Sequence, residues 1–149
     1  MDDAEQTGRD YGDGDWLLTA MVDSVNRAGF SFGITLNIPG GLVSGWVVSG
    51  NEYFHGIANV LEQAGGESFA DVMRQVAVQR YPMFQAESDD DVPGGPALES
   101  DEPPPVDYIH LRDARFFYGG NAIPGNQGVW WRGKISDVVG FTYGLLATE

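Results

Sequence analysis

Residues 30–50 read FSFGITLNIPGGLVSGWVVSG, and this stretch decides the fold class. Phe30, Phe32, Ile34, Leu36 and Ile38 are apolar, and Ser31, Gly33, Thr35 and Asn37 between them are not. Alternation with a period of two is the pattern of a strand with one buried face. Pro39-Gly40-Gly41 then interrupts the run. Pro has no N–H for a ladder and Gly reaches positive φ, so the tripeptide predicts a turn, with Leu42 to Ser49 as the returning strand. The stretch holds no Cys, Asp, Glu, His or basic residue. It reads as a scaffold or a binding surface, not as a catalytic site.

The flanks predict helices. Leu18, Met21, Val22 and Val25 fall at helical spacing, with Asp13 or Asp15 placed to cap the start and Gly29 to end it. Ser49-Gly-Asn-Glu52 has the spacing of a capping box, predicting a second helix from Asn51 to Ala64 with Tyr53, Ile57, Val60, Leu61 and Ala64 on one face. Gly65-Gly66 ends it. Ser68 is placed to cap a third helix reaching Arg80, with Phe69, Val72, Met73 and Val76 inward, and Tyr81-Pro82 stops it. After Val106, YIHLRDARFFYGG reads as a strand whose phase slips by one residue at Arg112-Asp113, the mark of a bulge or bend. A Gly/Asn/Pro loop follows, and GVWWRGKISDVVGFTYGLL predicts two closing strands around Ser136-Asp137.

The net charge is −14 in 149 residues, and it is unevenly placed. Residues 1–15 carry six acids and Arg9, and residues 87–107 carry eight acids and no base, so these two segments hold −13. The remainder is nearly neutral. Residues 1–14 therefore read as an acidic disordered tail. Residues 86–105, AESDDDVPGGPALESDEPPP, read as an acidic, Pro/Gly-rich disordered loop interrupting a single α+β domain over 15–149. Asp89, Asp90, Asp91, Asp101 and Glu102 form an electrostatic strip in that loop, read as spacer, solubiliser or docking strip for a basic partner. Asp89–Asp91 lacks EF-hand spacing, so no calcium site is expected.

Composition also excludes function classes. With no Cys there is no disulfide, thiol nucleophile or Cys-ligated metal, which fits a reducing compartment. No apolar run approaches the ~20 residues of a membrane span. The acidic start, MDDAEQTGRD, lacks the apolar core of a secretory leader. His55 and His110 have no partner at metal-ligand spacing. No Ser lies in a G-x-S-x-G setting, and neither Gly pair is followed by G-K-[ST]. No enzyme and no cofactor is expected.

Short antiparallel strands bent at Gly predict a small, strongly curved antiparallel sheet or partly closed barrel, with an N-terminal helix and a helical insertion after the first hairpin. Leu111, Asp113, Arg132, Gly133 and Ile135 are similar in outline to the "L-x-D" and "R-G-x-I" closing strands of Sm-like barrels. That pattern raises a nucleic-acid-binding module as the alternative function. The charge opposes it, because phosphate binding requires clusters of Lys and Arg and this chain holds eight such residues in all.

On the closing strands, Trp130 and Trp131 point to opposite faces. With Trp131, Gly133 and Ile135 inward, Trp130 faces out beside Arg132 and Lys134. Trp and Arg dominate interface hot spots, so Trp130, Arg132 and Lys134 are the candidate protein-interaction surface, unless a covering helix buries that face too. Open edge strands and an outward Trp also leave room for a homo-oligomer.

Three segments together resemble a known family. GITLNIPGGLVSGWVVSGNEYF (33–54), DYIHLRDARFFYG (107–119) and WWRGKISDVVGFTYGLL (130–146) look like segments of gas vesicle accessory proteins of the GvpU type, in the same order and at roughly the same spacing. The likeness covers residues 15–60 and 106–146 and fades through the third helix. It implies a cytoplasmic, non-enzymatic protein whose partners are the gas vesicle shell or other gas vesicle proteins, acting in vesicle assembly or clustering, with no nucleic acid and no lipid membrane. The chain stops three residues after Leu146, so its acidic tracts are expected to supply any tail-like behaviour.

Overall fold

A computed structural model describes residues 14–82 and 106–146. Its elements, in chain order, are α1 (Trp16–Ala28), β1 (Phe32–Ile38), β2 (Gly41–Val48), α2 (Gly50–Gln63), α3 (Glu67–Arg80), β3 (Tyr108–Tyr118), β4 (Asn121–Ile123), β5 (Val129–Lys134), a 3-10 turn (Ile135–Asp137) and β6 (Gly140–Tyr143). The acidic tail, the strip Asp89, Asp90, Asp91, Asp101 and Glu102, and Asp13 lie outside the described residues.

The hairpin forms where the alternation places it. Ile38 pairs with Gly41 across Pro39-Gly40, and Gly40 takes φ 99°, a turn conformation that L side chains resist. Ile34 and Leu36 of β1 and Val43 and Val47 of β2 face one side. Leu18, Val22 and Val25 of α1 cover them and make the core with Ile109, Leu111 and Ala114 of β3 and Ile135. Each such side chain contributes about 1.5–3 kcal/mol on leaving water. Helix α1 begins where Asp15 Oδ1 accepts from the N–H groups of Leu17 (2.8 Å) and Leu18 (3.2 Å). It ends at Gly29, φ 81°, whose N–H returns to Val25.

The sheet is antiparallel, in the order β4-β3-β2-β1-β6, with β5 also pairing β3. Strand β3 is thus central, with β2 on one edge and β5 and β4 sharing the other. The slip read at Arg112-Asp113 is a bulge. Residues 113 and 114 stand opposite Gly45 alone, and Asp113 takes φ 58°. A Cβ at Gly45 would lie 3.1 Å from Ala114 Cα and from the Arg112 carbonyl oxygen, so a side chain there would have to push the bulge back by a few tenths of an ångström, and glycine lets β2 pass it without that shift. Asp113 also uses its side chain there, accepting from Gly128 N–H at 2.8 Å.

The fold class is the one expected, an α+β chain with an N-terminal helix, helices inserted after the first hairpin and a small antiparallel sheet. Of the two forms read for that sheet, the barrel is not realised: β6 pairs only β1, β5 pairs only β3, and the two edges remain apart. Four-residue β6 is too short, and the 3-10 turn diverts the chain after β5. Two local expectations need correction. The capping box is half formed. Ser49 Oγ accepts from Glu52 N–H (3.0 Å), but the Glu52 carboxylate turns to Arg112 at 3.1 Å. Helix α3 starts at Glu67 behind Gly66, without a side-chain cap from Ser68. Its buried residues are Ala70 and Ala77, while Phe69 is 63% exposed and Val72 46%. Phe69 and Val72, read as inward, therefore face out, and among the described residues no element covers them.

Candidate interaction surface

The second face of the sheet carries the candidate surface. Along β3, Tyr108 and His110 alternate onto the face away from α1, and along β5 Trp130, Arg132 and Lys134 do the same. His110 stands opposite Arg132, and Tyr108 opposite Lys134. The residues between, Trp131 and Gly133, turn to the other face, where Trp131 packs on the core. The inward-outward split of the two tryptophans is the one read from the sequence.

Helix α2 lies over the outward set, so the covering helix is real. Trp130 is half-buried with its ring on Gly56, where a methyl group would fall inside the indole. Tyr53 meets Trp130 edge-on, with ring centroids 6.1 Å apart. Arg132 lays its guanidinium over the Tyr108 ring at 3.7 Å and near Phe54 at 5.6 Å, both cation–π contacts. Its Nε donates to His110 Nε2 at 3.1 Å. Lys134, at the end of β5, is exposed. It borders a shallow groove of about 280 Å³ with Ile38, Pro39, Trp131, Gly133 and Asp137, at the gap where the sheet stays open. Structure thus divides the three candidates: Lys134 has no hydrogen-bond or ion-pair partner among the described residues, Arg132 is held on rings, and Trp130 fastens α2 to β5.

An aromatic box beneath α2 went unread in the sequence. His110 is fully buried, ringed by Tyr53 at 4.7 Å, Tyr81 at 5.4 Å and Phe54 at 5.8 Å between centroids. Since Nε2 accepts from Arg132, the hydrogen-bond pattern assigns the ring proton to Nδ1, which has no partner among the described residues. Burial, and secondarily the Arg132 charge, pushes the His110 pKa down to about 3. Burial also raises Tyr53. A neutral imidazole is what lets Arg132 sit beside it. The sequence signals were a His and a Tyr at period two on β3 and adjacent aromatics at the start of α2, but nothing in their spacing joined the two elements. His55 lies on α2 outside the box. Among the described residues, no group of three or more His, Asp or Glu side chains is placed to hold a metal ion.

The open edge at β6 carries a second apolar surface. Met21, Ser24, Phe30, Phe32, Gly33 and Tyr143 line a groove of about 460 Å³ between α1 and the sheet, with no charged group in its wall.

A family model described as gas vesicle protein GvpU-like matches residues 15–146. The chain belongs to the GvpU-like family. The matched span opens on the cap of α1 and runs through α3, where the likeness read from the sequence had faded. Membership makes this GvpU-like chain a gas vesicle-associated protein. No curated protein and no solved structure matched it. Among the described residues, no helix is long and apolar enough to cross a membrane.

Proposed function

We propose that this GvpU-like protein is a non-enzymatic, cytoplasmic accessory protein that binds the gas vesicle shell or other gas vesicle proteins, and acts in vesicle assembly or clustering. Contact is made along β5, through Lys134, the exposed part of Trp130 and the flank of Arg132. The observation that carries this reading is the character of that edge. An open strand presents an unpaired backbone ladder, beside a Lys with no carboxylate partner and an Arg held on rings instead of acids, among the described residues. Such an edge suits an extended or acidic segment of a vesicle protein. The acidic tracts, Asp89, Asp90, Asp91, Asp101 and Glu102 among them, give a decorated vesicle a negative coat that sets its distance from the next.

Flotation tests the proposal. Purified protein mixed with gas vesicles is expected to rise with them on centrifugation, and Lys134→Glu is expected to weaken that binding by roughly tenfold. Protein left in the subnatant over a range of salt concentrations would rule out direct vesicle binding.

A further inference from the structure

The segment that follows β6 folds back over the sheet. At Gly144, φ 102°, the chain leaves the edge of β1 and crosses the face away from α1, passing over β1 and then β2. Two buried hydroxyls receive it. Thr35 Oγ1 on β1 donates to the Gly144 carbonyl at 2.9 Å, and Ser44 Oγ on β2 accepts from the Leu146 N–H at 2.9 Å. Thr35 and Ser44 are cross-strand partners with their oxygens 3.0 Å apart. The one Thr35 hydroxyl proton goes to Gly144, so Ser44 donates to Thr35 and every bond in the set has a fixed direction. Between these two anchors Leu145 sits on Gly33, where a Cβ would lie 2.9 Å from Leu145 Cγ.

Helix α1 covers the other face of β1 and β2 through apolar side chains alone. Here the sheet meets its cover with hydroxyls, and they read backbone: one C=O and one N–H, two residues apart. Only the notch at Gly33 reads a side chain. Thr35 and Ser44 are 5% and 4% exposed, so their hydroxyls would be costly without those backbone partners. The segment itself is lightly held, with Leu145 45% and Leu146 41% exposed. We propose that this track is a peptide-binding site, in which residues 144–146 are a displaceable occupant. Its ligand is an extended, uncharged segment of another protein that carries a leucine-sized side chain between an acceptor C=O and a donor N–H. The seated segment defines that ligand, and the walls agree with it, because β1 and β2 carry no charged residue to meet a charged one. The track is separate from the β5 edge and does not rest on the reading of that edge. While residues 144–146 occupy it, they lower its apparent affinity by the fraction of molecules in which it is open.

An NMR titration of the full chain with the acetylated peptide TYGLLA, the sequence of residues 142–147, tests this. Leu145→Asp is expected to keep the far-UV circular dichroism of the wild type and to free the track. Its Gly33, Thr35 and Ser44 amides should then shift saturably with peptide, at an affinity roughly tenfold above that of the wild type. Leu145→Gly, which empties the notch without adding charge, is expected to behave alike. Adding Ser44→Ala should weaken the binding roughly tenfold, by loss of the acceptor for the peptide N–H. The chain has no Cys, and cysteines at positions 33 and 145 fall within disulfide reach, so Gly33→Cys with Leu145→Cys locks the segment in place when oxidised. That oxidised variant is expected to show no shift at Thr35 or Ser44. Absence of shifts in both Leu145 variants, equal affinity in the wild type, or shifts that survive oxidation would overturn the proposal. Self-association of the wild type in sedimentation equilibrium that disappears in the oxidised variant would overturn the choice of partner and give the track to a second copy of the chain.

Discussion

His110 is neutral because the rings around it leave a second charge no counter-ion. Tyr53, Phe54 and Tyr81 enclose it, Arg132 occupies Nε2, and the nearby Glu52 carboxylate is committed to Arg112. Its folded pKa of about 3 lies below the ordinary histidine value. Between those two values the unfolded chain binds a proton that the folded chain refuses. Stability contributed by His110 is therefore complete above about pH 6.5 and is lost as pH falls toward 3. At about 1.4 kcal/mol per pH unit, acidification from about 6.5 to 5 should remove about 2 kcal/mol. Urea denaturation across that range is expected to show the loss in the wild type and a flatter profile in His110→Phe. Parallel profiles would place the titrating group elsewhere. None of this was legible from the chain: a lone His in a strand says nothing of three aromatic rings delivered by two helices.

At the scale of elements, the sequence spoke clearly where chemistry is local. Pro39-Gly40, Asp15 and Gly29 each act on backbone within a few residues, and each stands where its chemistry placed it. The bulge was legible too, because one extra residue reverses the inward pattern of β3 after Arg112. Asp113→Ala, which loses both tolerance of positive φ and the bond to Gly128, is expected to lower stability by about 1–3 kcal/mol. Asp113→Gly, which keeps the φ, should cost less, and thermal melts will rank the pair. Elements that meet only in three dimensions were read less well. The stripe on α3 told which residues are apolar but not that Phe69 and Val72 would stay exposed among the described residues. Trp130 could be seen to face outward, but not that α2 would place Gly56 against it. Gly56→Ala is expected to displace the Trp130 ring, loosen α2 and red-shift tryptophan emission. That shift should vanish when Trp130 is also replaced by Phe.

Across the whole molecule, one face of the sheet carries the main core and the other carries the surface proposed for contact. Helix α1 closes the first over Ile34, Leu36, Val43, Val47, Ile109 and Leu111. Leu18→Ala, at the centre of that cover, is expected to cost about 2–5 kcal/mol by chemical denaturation. The second face carries the aromatic box, the cations of β5 and the α2–α3 pair, and it ends in two strand edges that do not meet. Closure would have removed both edges, and with them the surface proposed for vesicle proteins. Charge is segregated along the sequence too: the acids are concentrated in residues 1–15 and 87–107 and the remainder is nearly neutral, and the proposal accordingly pairs short-range contact at β5 with long-range repulsion between decorated vesicles. Flotation with intact gas vesicles, comparing wild type with Lys134→Glu, addresses this account most directly. The wild type is predicted to rise with the vesicles and Lys134→Glu to remain largely in the subnatant; a wild type that stays below, or a variant that floats equally well, would contradict it.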